Sequence, residues 1–290
     1  MTDGRQVLKH ARGELVLDRC LVMGIVNRTP DSFYDGGRMN LTAAIDHALG
    51  LVDEEADIID VGAVKGGPGE DVGEDEELDR IIPLITALTR ETTVPISAET
   101  GRPRVARAAI ASGAALINDV TALRDPGLAA VCAEAGAGLV LMHHGGQLRG
   151  RPRHPRYEDV VGAVIASWKR GAAIALAAGV ARGQILVDPG LDFGKNTFHS
   201  LELIRRLPEL VAAGYPVLVA PSRKDVVGET LNLPPEQRLE GTLAVVAIAV
   251  MAGAAAVRVH DVRPAVRTVR MTQGVMGRFD PVAPVRGLWD

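Results

Sequence analysis

Two basic side chains lie two positions apart near the end of the chain. Arg258 and His260 occur in the segment RVHD, which overlaps a short apolar run, so both point to the same face of a predicted strand. A guanidinium and an imidazole on one face can hold a phosphate together. Lys224 follows the preceding predicted strand and adds a third basic group. The sequence therefore predicts a site for a phosphate or diphosphate, in the region where barrels of parallel strands most often bind phosphate.

Polar side chains end the other predicted strands as well. A single residue of this kind often marks only the point where a strand reaches water. Several that share the carboxyl ends of parallel strands indicate a functional site, because the active sites of α/β barrels lie at that face. These residues are Asn27, Asp60, Glu99, Asn118, Asp119, His143, Asp188 and Ser222.

The strands and helices that position these residues alternate along the whole chain. Each short apolar run is followed by a loop marked by Gly or Pro and then by a longer Ala-rich stretch of helical period. This order predicts an α/β fold with a parallel sheet. Strands are predicted at 20–26, 58–61, 95–98, 116–117, 139–142, 185–187, 217–220 and 256–259. Helices are predicted at 41–54, 76–90, 104–112, 128–134, 160–178, 200–212 and 242–251.

A closed barrel fits this order better than an open sheet. An open doubly wound sheet that binds a dinucleotide usually carries G-x-G-x-x-G after its first strand, and no such motif follows Val26. Eightfold barrels commonly reach about 250 residues as one unit. We therefore predict that residues 1–290 form a single (β/α)₈ TIM barrel domain, in which a short N-terminal hairpin at residues 6–17 closes the bottom of the barrel.

Charge and composition limit the partners. The net charge is −4 with mixed signs, which argues against nucleic acid and an anionic membrane as partners. The first twenty residues lack the apolar segment of a signal peptide, and no uncharged apolar run is long enough to span a bilayer. Cys20 and Cys132 lie in apolar stretches without metal-type spacing, as buried free thiols do. These features predict a soluble cytoplasmic protein.

Several segments resemble the signature blocks of dihydropteroate synthases in their order and spacing, and together they cover nearly the full chain. The resemblance implies a (β/α)₈ barrel that joins 6-hydroxymethyl-7,8-dihydropterin diphosphate to p-aminobenzoate, with release of diphosphate, in folate biosynthesis. The segments are MGIVNRTPDSFYDGG at 23–37, ALINDV at 115–120, VDPGLDFGK at 187–195, SRK at 222–224, GT at 241–242 and RVHDV at 258–262.

The resemblance also assigns roles to the matching residues. Diphosphate leaves from a methylene carbon whose positive charge the pterin ring delocalises, so the reaction needs groups that stabilise a departing anion. Asn27 would ligate Mg²⁺, the implied cofactor, through its amide oxygen, while Arg258 and His260 would hold the diphosphate. The implied catalytic residues are Asp31, Lys224, Arg258 and His260. The implied substrate-binding residues are Asn27, Glu99, Asn118, Asp188, Phe193, Lys224, Arg258 and His260.

The first loop and the third strand depart from the family pattern. Arg28 stands where the family has a small apolar residue, and Tyr34 stands where it has a serine. The simplest interpretation is that both are exposed loop residues, since loop sequences vary freely. Glu99 replaces an aspartate that reaches the pterin ring. In a demanding geometry a carboxylate displaced by about 1 Å can cost on the order of 10²-fold in rate.

The second loop departs furthest. The family pattern is Gly-Gly-Glu-Ser-(Ser/Thr)-Arg-Pro-Gly, whereas residues 62–69 are GAVKGGPG. Gly66 and Gly67 stand in place of a hydroxyl and an arginine that help to order this loop over the p-aminobenzoate site. Lys65 is a point charge on a flexible stem and cannot reproduce a bidentate arginine. Because Arg28 only adds bulk that a mobile loop can move aside, and Glu99 keeps its carboxylate, we expect the second loop to be the main cause of lost activity.

These observations lead to one main hypothesis and three alternatives. The main hypothesis is a dihydropteroate synthase-like protein that keeps a pocket for phosphate or diphosphate and a pterin, with synthase activity absent or very low. One alternative is an active synthase with unusual loops. A methyltetrahydrofolate-dependent methyltransferase is another, although methyl transfer has no evident use for Arg258 and His260. A non-catalytic regulatory protein is the third, with the basic segment 149–156 as its contact surface, although simple solvation also explains that segment.

A homodimer is also predicted. The family pairs through its later helices, and residues 243–251 are apolar nearly all round.

Overall fold

Eight parallel strands follow an antiparallel hairpin in the computed structural model, which describes residues 6–28, 41–63, 72–146 and 154–286. The strands are β1 (Val7–His10), β2 (Gly13–Val16), β3 (Leu21–Asn27), β4 (Ile58–Gly62), β5 (Ile96–Glu99), β6 (Leu116–Asp119), β7 (Gly138–Met142), β8 (Ile185–Asp188), β9 (Leu218–Val219) and β10 (Ala256–Val259). The parallel strands have the order β8-β7-β6-β5-β4-β3-β10-β9, and a parallel bridge between Val187 and Val217 joins the two ends of the sheet. The predicted (β/α)₈ barrel is confirmed.

Helices follow the barrel strands in the predicted alternation. They are α1 (Leu41–Asp53), α2 (Glu74–Glu91), α3 (Pro103–Ala111), α4 (Gly127–Ala135), α5 (Val160–Ala177), α6 (Thr197–Arg205), α7 (Leu207–Val211), α8 (Asp225–Leu231), α9 (Leu239–Met251) and α10 (Val262–Val275). The prediction of one helix over 200–212 is wrong, because two helices meet at Arg206. Pro208 cannot donate the backbone hydrogen bond that would continue α6, and it occupies the first turn of α7, where proline is tolerated.

The lower half of the barrel interior is apolar. Alternate residues of each strand point inward, and the inward side chains nearest the strand starts form one buried cluster. Leu8 of the hairpin belongs to the same cluster, and the N–H of Ala11 donates to the carbonyl of Ala115 at 3.2 Å. The hairpin therefore closes the bottom of the barrel, as predicted. The cluster includes Leu21, Met23, Ile58, Leu116, Val140, Leu186, Leu218 and Ala256.

The upper half of the interior is polar. Two residues further along four of these strands, the inward positions change from aliphatic to charged or amide side chains. The change from apolar to polar residues takes place over two residues of each strand. It places polar groups at the carboxyl ends of the strands, where barrels carry their active sites. The residues concerned are Asp60 on β4, Asn118 on β6, Asp188 on β8 and Arg258 on β10.

Helix α5 is long and apolar enough to cross a membrane by length and composition alone. A helix that packs on a protein core meets the same criterion, so this observation is weak by itself. The indole Nε1 of Trp168 on α5 donates to the carbonyl of Asp188 at 3.0 Å. Gly171 packs against the side chain of Leu141 on β7. This face of α5 is therefore part of the barrel wall.

Both cysteines are free and buried, as predicted. Burial raises the pKa of Cys20 and of Cys132 to about 12. Because the thiolate is the reactive form, neither thiol is suited to nucleophilic chemistry near pH 7. The cytoplasmic location that the cysteines suggested stays a prediction.

Candidate active site

Arg258 forms an ion network with two carboxylates in the mouth of the barrel. Its Nε donates to Asp60 Oδ2 at 2.6 Å, and a terminal nitrogen donates to Glu99 Oε2 at 2.5 Å. The amide of Asn118 donates to the same Asp60 oxygen at 3.0 Å. The side chain of Asp60 is fully buried, and those of Arg258 and Glu99 are 15% and 12% exposed. Two acidic side chains of the chain therefore already pair with the guanidinium that the sequence assigned to a diphosphate.

Burial governs the charges of this network. It raises the pKa of Glu99 to about 7, with Arg258 opposing the shift and Asp60 adding to it. Burial also opposes the charge on Arg258, but Asp60 and Glu99 outweigh this effect and raise its pKa. Two buried oxygens, Asp60 Oδ1 and Ser97 Oγ, have no hydrogen-bond partner among the described residues. Such atoms cost free energy until a water or a ligand pairs with them, so the mouth suits a ligand with N–H donors.

Asp188 and Lys224 form a second charged group in the mouth. Asp188 Oδ1 accepts a hydrogen bond from the N–H of Gly190 at 2.6 Å. Lys224 Nζ lies 5.0 Å from the centre of the Phe193 ring, within cation–π range. Burial raises the pKa of Asp188 and lowers that of Lys224, and the attraction between the two charges opposes both shifts. A carboxylate, an ammonium and an aromatic face thus lie close together. Such a set can bind a flat ligand that carries both ring atoms and charged groups.

Asn27 ends β3 beside Gly62 of β4, which pairs in turn with Glu99. A Cβ at Gly62 would lie 3.5 Å from Asn27 Oδ1 and 3.6 Å from Glu99 Cβ, so the glycine leaves room between the two side chains. The described residues contain no group of three or more His, Cys, Asp or Glu that could hold a metal ion. Mg²⁺ is commonly held by one or two protein oxygens together with substrate phosphates and water. The amide oxygen of Asn27 fits a Mg²⁺ ion that arrives with a diphosphate.

His260 forms hydrogen bonds with Ser222, which follows β9. Ser222 Oγ accepts from the backbone N–H of His260 at 3.1 Å and lies 3.0 Å from its Nδ1. The hydroxyl proton can then be donated to Nδ1, which leaves the ring proton on Nε2. Burial lowers the pKa of His260 to about 4, and Arg258 and Arg223 act in the same direction. The imidazole is therefore neutral at pH 7 and can donate a hydrogen bond to an anion without adding charge.

Arg28 is buried, which corrects its interpretation as an exposed loop residue. Only 6% of Arg28 is exposed. Its backbone N–H donates to the carbonyl of Gly62 at 2.7 Å, and its guanidinium donates to the carbonyl of Arg80 at 2.5 Å. Burial and the neighbouring Arg80 lower its pKa. Arg28 is therefore held between the end of β4 and helix α2. The expectation that a mobile loop can move this side chain aside is wrong.

Lys195 is a structural residue of the site that the sequence prediction does not include. It is 2% exposed, and its Nζ donates to the carbonyls of His143 at 3.2 Å, Gly190 at 2.9 Å and Phe193 at 2.9 Å. Burial lowers its pKa to about 7. The lysine ties the end of β7 to the loop after Asp188. Its place in the block VDPGLDFGK is the one signal that the sequence offers for this role.

The predicted site residues divide into two groups. Asp31 lies outside the described residues, as do Tyr34, Gly66 and Gly67 in the two departing loops. The structure brings the others to the carboxyl ends of the strands, where their substrate and metal roles stay predictions. These are Asn27, Glu99, Asn118, Asp188, Phe193, Lys224, Arg258 and His260.

The chain is similar to proteins that bind pterins. The model of the pterin binding enzyme family matches residues 23–260. "Inactive dihydropteroate synthase 2" of Mycobacterium tuberculosis H37Rv is 50% identical over 278 residues, which are 93% of this chain and 87% of that protein. "Dihydropteroate synthase" of Bacillus subtilis 168 is 41% identical over 264 residues, 90% of each chain. The structure of Xanthomonas albilineans dihydropteroate synthase with 4-aminobenzoic acid has a TM-score of 0.88 and 41% identity, and covers 97% of this chain and 100% of that one.

Proposed function

Because the chain belongs to the pterin binding enzyme family, as a homologue of dihydropteroate synthases, we propose that it binds a pterin and a phosphate or diphosphate in the barrel mouth with little or no synthase activity. The ligand sites are those of the charged groups described above. In this proposal Arg258, His260 and Lys224 hold the phosphate groups, and Asn118 and Asp188 pair with the ring edge of the pterin. The unpaired Asp60 Oδ1 offers a further acceptor for a ligand N–H.

Among the described residues, the ion pair between Arg258 and Glu99 is the observation that supports the proposed loss of activity, although we expect it to contribute less than the second loop does. Glu99 is one methylene longer than the family aspartate and reaches the guanidinium at 2.5 Å. Glu99 and Asp60 together occupy the Nε and one terminal nitrogen of Arg258, so their charge competes with a diphosphate for this guanidinium. The Mycobacterium tuberculosis relative that is named inactive is more similar to this chain than the Bacillus subtilis synthase is, at 50% against 41% identity. This order of similarity supports the same proposal.

The proposal includes Mg²⁺, with the amide oxygen of Asn27 as its protein ligand. When bound with a diphosphate, the ion would offset the negative charge that grows on the leaving group. Asn27 would hold the ion through its amide oxygen. The carboxylates of Asp60 and Glu99 are less suited to this role, because both already pair with Arg258. We place Asp31 with the catalytic residues on the basis of its loop block alone.

Calorimetric titration with 6-hydroxymethyl-7,8-dihydropterin diphosphate, with and without Mg²⁺, tests ligand binding, and a product assay with p-aminobenzoate tests turnover. We expect saturable binding and a product rate at least about 10²-fold below that of an active synthase assayed alongside, as expected when a preorganised charge is lost. Asp188→Asn should weaken binding, whereas Asp79→Asn, at an exposed position on α2, should not. No binding by the wild-type protein, or turnover equal to that of the active enzyme, would show the proposal to be wrong.

We further propose a homodimer that forms through α9 and α10, which pack against each other. Both helices present exposed apolar side chains, and adjacent patches of this kind mark protein interfaces. The side chains are Ile248 (45% exposed), Met251 (64%), Met271 (68%) and Val275 (72%).

In sedimentation experiments the wild type should have twice the mass of the chain, and Met251→Asp should shift it to the monomer. Leu176→Asp, a matched change at a 42% exposed leucine of α5, should not. A monomeric wild type at micromolar concentration would exclude this dimer.

A further inference from the structure

A second cleft lies beside the barrel mouth, between the end of β7 and the start of α5. Its volume is about 480 Å³. It is separate from the ion network of Arg258, and none of the residues assigned above to the pterin or the diphosphate lines it. The side chains that characterise the cleft are basic or aromatic, namely His143, His144, His154, Arg156, Tyr157 and Arg170.

The charge of this cleft is positive. Arg156 and Arg170 have no carboxylate partner among the described residues, and no acidic side chain of that part of the chain lines the cleft. Guanidinium groups without carboxylate partners keep their donors available, and the planar fork of such a group matches a phosphate or a carboxylate. The cleft therefore favours an anion.

Neutral imidazoles add hydrogen-bonding groups to these charges. Burial lowers the pKa of His143 to about 3, and Lys195 and Arg170 act in the same direction, so its ring is uncharged at pH 7. His143 Nδ1 is buried and has no hydrogen-bond partner among the described residues. A buried polar nitrogen of this kind costs free energy until a ligand or water pairs with it. His143 thus contributes an uncharged ring to the lining of the cleft, with one buried ring nitrogen that no described residue pairs with.

Close packing makes the walls of the cleft rigid. Tyr157 Oη donates to the carbonyl of Gly194 at 3.0 Å, and its ring packs edge-on against His199 at 5.0 Å between centres. Gly145 has a φ of +60°, and a Cβ there would collide with Tyr157 Oη. Gly194 has a φ of +59°, and a Cβ there would collide with the carbonyl of His144. Both glycines are required by close approach and backbone conformation, so the backbone at these two positions and Tyr157 are held in place by packing.

We propose that this cleft is a second anion site, which binds a phosphate-bearing small molecule through Arg156 and Arg170 and against the imidazoles of His143 and His144. The site goes beyond the proposed pterin and diphosphate pocket and does not depend on it. Two guanidinium groups without carboxylate partners in one cleft suit a ligand with more than one negative charge, such as a diphosphate or a phosphorylated metabolite.

Calorimetric titration with inorganic diphosphate at constant ionic strength tests the second site. The wild type should bind two equivalents, and Arg156→Gln/Arg170→Gln should lose one of them or weaken it at least about tenfold, as two charge-assisted contacts are removed. Arg205→Gln/Arg267→Gln is the matched control, because it removes the same charge at two exposed positions outside the cleft. All four arginines are exposed, so the variants should fold.

The result also separates the two sites. The second site is overturned if the wild type binds a single equivalent of diphosphate, and this binding is lost in His260→Gln but kept in Arg156→Gln/Arg170→Gln. That result would leave the pocket in the mouth intact. Equal weakening by the cleft variant and by the control variant would show a general charge effect and would also overturn the proposal. In the supporting case, histidine NMR resonances of His143 and His144 shift on addition of diphosphate and do so in the His260→Gln variant as well.

Discussion

Replacing Gly66 by threonine and Gly67 by arginine together is expected to raise the rate of dihydropteroate formation by roughly 10² to 10³, the usual value of one preorganised donor. The two glycines stand where the family has a hydroxyl and a guanidinium, and no side chain beside them supplies either group. A missing group cannot be recovered by motion of the loop. The measurement is a product assay under saturating substrates.

Two single substitutions are the controls for this prediction. Arg28→Val removes a guanidinium that is bound to the carbonyl of Arg80, and Glu99→Asp shortens the carboxylate that holds Arg258. We expect Glu99→Asp to strengthen diphosphate binding, because it loosens the competing ion pair, with less effect on turnover than the loop pair. If either single change restores more product than Gly66→Thr/Gly67→Arg, the defect does not lie mainly in the second loop.

Lys195→Met is expected to lower the free energy of unfolding by about 3 kcal/mol, since it leaves the carbonyls of His143 and Phe193 without a donor and that of Gly190 with the N–H of Phe193 alone. The three carbonyls of His143, Gly190 and Phe193 share one ammonium, and methionine has a similar length but no proton to donate. The same change should loosen the loop that carries Phe193, so pterin binding should weaken as well. Urea unfolding gives the first quantity and calorimetric titration the second.

Lys169→Met is the matched control for this change. Lys169 is exposed on α5, so the same substitution there should alter the free energy of unfolding by less than about 0.5 kcal/mol. If the two variants unfold at the same urea concentration, the three carbonyls do not depend on Lys195.

The fold could be predicted from the sequence because each element of a barrel repeats a local pattern. The last predicted strand, 256–259, agrees with β10, and the other barrel strands agree within a few residues. The apolar runs are short and buried on both faces, and an Ala-rich helical stretch follows most of them. The wrong prediction of one helix over 200–212 has a local cause. The helical spacing of hydrophobic residues continues through Arg206, whereas Pro208 interrupts the backbone hydrogen bonding.

The site could be predicted only as a set of residue types. Polar strand ends identify which residues face the mouth, but they do not say which of them bond to each other. Arg258 on β10 bonds to Asp60 on β4, which is not adjacent to it in the sheet, because side chains meet across the interior of a closed barrel. The burial of Arg28 depends in the same way on α2, whose Arg80 carbonyl accepts its hydrogen bond.

The plugged, apolar lower half of the barrel gives this chain a large tolerance for change at its mouth. Leu8 and the aliphatic layer around it are packed without help from the residues that would touch a ligand. Substitutions of exposed loop residues above that layer are therefore expected to have little effect on whether the protein folds, in contrast to substitutions of buried ones such as Lys195 and Arg28. The same separation makes the scaffold a suitable host for grafted loops, whose success could be judged by function without a search for compensating core substitutions.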